Sequence, residues 1–170
     1  DQIGMRFFIG LHQPSDAKHF DAVFVSVNRL RNRKGPFSVG DWIMDSGAFS
    51  TIAMHGGYPH PVEEYAAHIE RWKTNGNLLA AVAQDYMCEP VMLDKTGMTV
   101  ADHQRLTIER YDALLRCETG CYILPVLQGY TPDEYVSTFG NTGTDWSMAH
   151  GSASAQSASA TACRTRSSTS

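Results

Sequence analysis

Three apolar runs of strand length each break off directly into polar residues, and this repeated pattern constrains the fold more than any other feature. The first, Trp42-Ile43-Met44, runs into Asp45-Ser46-Gly47-Ala48-Phe49-Ser50. The second, Leu78-Leu79-Ala80-Ala81-Val82-Ala83, is followed at once by Gln84-Asp85, and Tyr122-Ile123-Leu124-Pro125-Val126-Leu127 delivers Gln128-Gly129-Tyr130. Continuous apolar runs belong to strands covered on both faces, and hence to parallel sheets. In such folds the polar residues just past the strand ends converge on one mouth, where barrel enzymes hold their catalytic groups.

The rest of the chain supplies the connections. Met5–Leu11 reads as a first strand ended by Pro14, and Ala22–Val27 as a second, rich in β-branched residues. From Pro61 to about Lys73, Val62, Tyr65, Ala66, Ile69 and Trp72 recur at helical steps, and Asn75-Gly76 stops the helix. Met87–Gly97 reads as a loop, and Thr99–Leu115 as a second helix. Thr131-Pro132-Asp133-Glu134 opens a third, with Thr131 as N-cap and Glu134 three residues on. Pro125 is awkward for a central ladder and predicts a bulge or an unpaired position. Alternating strands and helices predict βαβ units with right-handed crossovers. The first βα turn lacks a glycine-rich dinucleotide fingerprint, which disfavours a doubly wound sheet. The expected fold is an incomplete TIM (β/α)8 barrel of about five βα units over residues 1–140.

A chain of 170 residues with 42% hydrophobic content is long enough for one domain with a sizeable core. No run approaches the roughly 18–20 apolar residues of a spanning helix, so no membrane association and a cytoplasmic location are expected. The chain starts at Asp1 rather than Met, as a piece of a longer reading frame would. A net charge of −4 argues against a surface coated with phosphate contacts. The basic run Arg29, Arg31, Arg33 and Lys34 therefore reads as a solvated loop rather than a nucleic-acid contact. Cys88, Cys117, Cys121 and Cys163 are scattered, as reduced thiols are, and no second Cys/His pair accompanies Cys117 and Cys121 to make a metal site. His12, His60 and His103 read as loop or packing residues.

The composition changes abruptly near the C-terminus. From Ser147 to Ser170, 17 of 24 residues are Ala, Ser or Thr. Such a segment cannot bury enough apolar surface to order itself, so residues 141–170 are expected to form a disordered tail. Back-translated with GC-rich codons and shifted by one base, residues 151–162 become W-V-G-V-G-T-V-C-K-R-N-G, a strand with a glycine turn. The inference is a frameshift between about Ser137 and Asn141.

Asp45, Asp85 and Gln128, each at a strand end, form a set of two carboxylates and one amide. Two acids can divide general-base and recognition work, while an amide both donates to and accepts from a heterocycle. Taken singly, each also reads as a capping or loop-bracing residue. Together with Phe24-Val25-Ser26-Val27-Asn28-Arg29-Leu30-Arg31, the stretches Met44-Asp45-Ser46-Gly47-Ala48-Phe49-Ser50, Ala83-Gln84-Asp85 and Pro125-Val126-Leu127-Gln128-Gly129-Tyr130-Thr131-Pro132 resemble the tRNA-guanine transglycosylase superfamily. The resemblance runs from about Met5 to Gly140 and is closest to the transglycosylase-like proteins that insert deazapurines into DNA. The shifted-frame string resembles the same branch.

The resemblance implies base exchange: an aspartate attacks the anomeric carbon, guanine leaves, and a 7-deazaguanine joins the same sugar. It implies a catalytic general-base role for Asp45, with Ser46 beside it, and a substrate-binding role for Asp85 at the purine's N–H edge. Gln128 would read the carbonyl, with Gly129 close by. Tyr130 or Phe49 would stack on the base, Phe49 being better suited to the core. The implied partners are nucleic acid, DNA or tRNA, and a 7-deazaguanine base, in a homo-oligomer or with a partner subunit. The family's nucleophilic aspartate and its zinc ligands have no in-frame counterpart here, so no cofactor is expected in this chain, although an intact member would hold zinc. Asp-Ser-Gly-Ala also replaces Asp-Ser-Gly-Gly. An inactive, aggregation-prone copy is expected. The competing readings are a non-catalytic nucleobase-binding or partner subunit, and an unrelated barrel hydrolase or lyase.

Overall fold

Five strands pair in strict chain order, every pair parallel, in a computed structural model that describes residues 6–129 and 131–134. They are β1 (Ile9–Leu11), β2 (Ala22–Ser26), β3 (Asp41–Asp45), β4 (Asn77–Val82) and β5 (Ile123–Leu124). The order β1-β2-β3-β4-β5 contains no reversal, so among the described residues there is no switch point of the doubly wound kind. The expected α/β class and parallel sheet are thus present. The 141–170 tail and Tyr130 lie outside the described residues.

Helices fill the crossovers: α1 (Val27–Leu30), α2 (Ala48–His55), α3 (Val62–Trp72), α4 (Pro90–Thr96) and α5 (Val100–Arg116). The long ones follow their apolar spacing. In α3, Val62, Tyr65, Ala66, Ile69 and Trp72 form the buried stripe, and α5 begins with a reciprocal capping box between Thr99 and Asp102. The short ones depart from the reading of the sequence. Met87–Gly97, expected as a loop, contains α4, which Pro90 starts and Gly97 ends in a left-handed cap. The third strand's polar terminus leads into α2, bracketed by left-handed Gly47 and Gly56. Pro14 does not simply end the chain's first strand but opens a 3-10 turn over Pro14–His19. The fifth strand is shorter than expected. Its ladder stops at Leu124 because Pro125 has no N–H to donate.

The core lies where the middle strands meet α3. Trp42 is fully buried and donates from Nε1 to the Asn75 carbonyl at 2.7 Å. The Asn75 side chain in turn bridges both backbone groups of Phe37, whose ring packs edge-on against Trp42 at 5.3 Å. The turn that ends α3 is thereby tied to the loop before β3. Gly76 sits in that turn at φ +59° with backbone and side-chain atoms of Val39 2.6 Å from where a Cβ would lie. Only glycine fits both demands. This end of the sheet is closed by packing, which leaves the opposite, C-terminal end of the strands for chemistry.

Candidate active site

At that end, the crossover from β3 into α2 is shaped by one amide. Asn28, on α1, donates from Nδ2 to the Gly47 carbonyl and to Thr51 Oγ1, both at 3.3 Å, and accepts from Arg31 Nε at 3.1 Å. Gly47 has φ +67°, and a Cβ there would lie 2.2 Å from Asn28 Nδ2. Conformation and space together require glycine. The turn so formed lets the Gly47 N–H donate to Asp45 Oδ2 at 3.1 Å, which fixes the carboxylate at the strand end.

Asp45 opens onto a cleft of about 780 Å³, within the range of small-molecule sites. Asn28, Thr51, Tyr58 and Gln84 line it with Asp45, and Arg29, His12, His55 and His60 stand on its walls. His12 and His60, read as loop or packing residues, belong to this cleft, and only His103 is buried in packing. The basic run divides by role. Arg33 bonds the Gly35 and Pro36 carbonyls, whereas Arg29, against His12, and Arg31, paired with Glu64, both line the cleft. Phe49 is a correction to its expected core role. It is 62% exposed and lines the cleft, because α2 buries Ala48, Thr51 and Ile52 and so turns the position between them outward.

Asp85 and Gln128, predicted from two different strand ends, meet directly. Gln128 Nε2 donates to Asp85 Oδ2 at 2.5 Å, and both residues are buried. Burial pushes the Asp85 carboxyl up to about 6, with the neighbouring charges of Asp45 and Glu89 adding to the effect. Gln104, on α5, donates to the Gln128 carbonyl at 3.1 Å and to that of Glu134 at 2.7 Å. Gly129 follows, also buried. The Tyr58 hydroxyl donates to the Asp85 carbonyl at 2.7 Å and lies against the buried Ser46 hydroxyl. The structure thus puts Asp45 on the open cleft, and holds Asp85, Gln128 and Ser46 behind it, away from the cleft wall.

Over residues 3–166 the sequence matches the family described as DpdA, DeoxyPurine in DNA protein A. The chain belongs to the DpdA family. No curated protein and no solved structure matches it significantly. Membership links this member of the DpdA family to deazapurine modification of DNA. Among the described residues no three or more His, Cys, Asp or Glu side chains are placed to hold a metal. These residues do not fit a zinc site. Nor is any helix among them long and apolar enough to cross a membrane.

Sequence reasoning missed Asn28, Tyr58, Gln104 and Arg110 as parts of this site. Asn28 sits on the four-residue α1 and Tyr58 in a connection, both too short for local pattern to carry information about the partner. Gln104 and Arg110 lie on α5, on the face turned toward the strand ends. A polar residue on an otherwise packed helix face is a signal, but its target emerges only from the fold.

Proposed function

We propose that this DpdA-family chain recognises a guanine-type base of DNA in the cleft past the strand ends, as the base-recognition part of an exchange that installs a 7-deazaguanine. One observation carries the reading: a buried carboxylate, Asp85, held against the amide of Gln128 directly behind Asp45. A buried carboxyl raised to about 6 works against stability, and such groups cluster where they are used. A carboxylate accepts parallel N–H bonds from a purine edge, and an amide serves the adjoining carbonyl, once a base entering past Asp45 replaces the bond between Gln128 and Asp85. In this reading Asp45, fixed by the Gly47 N–H, is the general base, and Ser46, buried against Tyr58, stands beside it. The unreversed order of parallel strands supports the first five units of an eight-fold barrel. Family membership supports DNA rather than tRNA as the nucleic acid.

The nucleophile is a separate matter. Besides Asp45, the acid lining the cleft is Glu64, and Arg31 and His68 engage its carboxylate. Among the described residues Glu64 is thus the cleft's second acid, tied through Oε1 to Arg31 and His68 with Oε2 buried and unpartnered, and an acid held in such a pair is poorly placed to attack an anomeric carbon. This favours, as a second reading, a nucleobase-binding or partner subunit that does not itself exchange bases. Membership in the DpdA family lends nothing to an unrelated barrel hydrolase or lyase.

Equilibrium dialysis with labelled guanine and 7-deazaguanine, run alongside incorporation into DNA, separates these readings. The chain as it stands should bind base without incorporating it, and a frame-restored protein should do both. Asp45→Asn in the restored protein should abolish incorporation by a hundredfold or more, and unchanged turnover would remove Asp45 from the chemistry. Absence of base binding by either protein would overturn the proposal.

A further inference from the structure

Gln84 is 2% exposed, yet it lines the cleft. Its orientation is not arbitrary. Arg110, reaching across from α5, donates from Nε at 3.1 Å and from Nη2 at 2.9 Å to the same Gln84 oxygen. A guanidinium has donors and no acceptor, so the oxygen of the amide must face it. The opposite end of the amide, its NH2 group, makes no hydrogen bond within the described residues and is not sealed off from the cleft.

Arg110 is itself clamped. It bonds the His60 carbonyl at 2.9 Å and stacks over the Tyr58 ring at 4.5 Å, so one side chain ties α5 to the connection that walls the cleft. The amide is thus locked with its donor end turned away from Arg110, in a cleft that an acceptor, Asp45, also lines. A donor held in place without a protein partner is poorly satisfied. A ligand oxygen would satisfy it.

We propose that Gln84 is a specificity-determining residue, donating a hydrogen bond to an acceptor oxygen of the bound guanine nucleotide, with Arg110 as its positioning residue. This rests on the reading of the cleft as a purine site. The oxygen belongs either to the base carbonyl or to the sugar-phosphate, and the two are separable by experiment.

The decisive variant is Gln84→Glu. It keeps an oxygen for Arg110, so the clamp and the fold are preserved, but it replaces the cleft-facing donor with an acceptor. Binding of guanine, of 2-aminopurine, which lacks the carbonyl, and of dGMP would be measured for the parent chain and the variant. A tenfold or greater loss for guanine, with 2-aminopurine unaffected, places the bond at the base carbonyl. A similar loss for dGMP alone places it on the sugar-phosphate. Equal affinities of variant and parent for all three would overturn the proposal and leave the purine reading intact. If the parent binds none of them, the purine reading falls, and this proposal with it. Should Gln84→Glu not fold, Gln84→Met, which lacks the donor, should show the same selective loss, and an unchanged ligand preference would again overturn the proposal.

Discussion

At the residue scale the two telling positions are Asp85 and Gly47. The folded protein holds the Asp85 carboxyl at about 6 against an ordinary 3.8, so the folded state binds its proton more tightly than the unfolded chain does. For an acid shifted upward the sign is unfavourable to stability at neutral pH: stability declines as pH rises from about 4 to about 6, then levels off. Asp85→Asn should flatten that slope and stabilise the protein at pH 7 by on the order of 2 kcal/mol, read from urea denaturation across that range. The same change should abolish binding of a guanine-type base. Gly47 offers a contrast with Gly97, since both adopt a left-handed conformation but only Gly47 has an atom, Asn28 Nδ2, in the path of a Cβ. Gly97→Ala should cost about 1 kcal/mol, and Gly47→Ala roughly 3 kcal/mol or more. Equal losses in denaturation midpoint would mean that Asn28 yields and is not a fixed strut of the site.

At the element scale α5 matters most, because one helix supplies both Gln104 to the Gln128 carbonyl and Arg110 to Gln84. Its start depends on the capping box, in which Thr99 Oγ1 accepts from the Asp102 N–H at 3.2 Å and Asp102 Oδ2 accepts from the Thr99 N–H at 3.1 Å. Thr99→Ala should destabilise the protein by about 1 kcal/mol, measured by thermal unfolding. Hydrogen exchange should show the first turn of α5 opening more often. The long elements were legible because each repeats its signal: α3 buries five residues at helical spacing, and β4 is an unbroken apolar run. The short ones were not. An eight-residue helix such as α2 contains barely two turns, too few to separate its periodicity from that of a turn-rich connection. The capping pair at Thr131 and Glu134, by contrast, depends on two neighbouring side chains and was legible from them alone.

For the whole molecule, the two outer strands set the behaviour. Among the described residues β1 pairs only with β2, and β5 only with β4, so each leaves one edge without a ladder partner. Apolar side chains mark these edges, with Phe7 76% and Ile9 45% exposed near β1, and Leu127 42% exposed beyond β5. Unprotected edges bearing apolar residues promote strand addition between molecules. Sedimentation velocity should show self-association that grows with concentration, and Ile9→Lys together with Leu127→Lys should reduce it. Concentration-independent monomers would remove the edges from consideration.

The sequence by itself determined the parallel α/β class, the long helices and strands, and the nomination of Asp45, Asp85 and Gln128 as strand-end residues. All of these follow from local hydrophobic pattern and from the fact that a strand must end where its apolar run ends. Tertiary structure alone decided how those residues are divided between cleft and interior. It placed Asp45 on the cleft, bonded Gln128 to Asp85 across 43 positions of sequence, and aimed Gln84 by way of Arg110. It also turned Phe49 outward and brought Arg29 and Arg31 to the cleft while Arg33 was spent on the Gly35 and Pro36 carbonyls. The physical reason is that periodicity fixes which face of an element is buried, but a hydrogen bond between elements depends on their relative placement, which no single segment encodes.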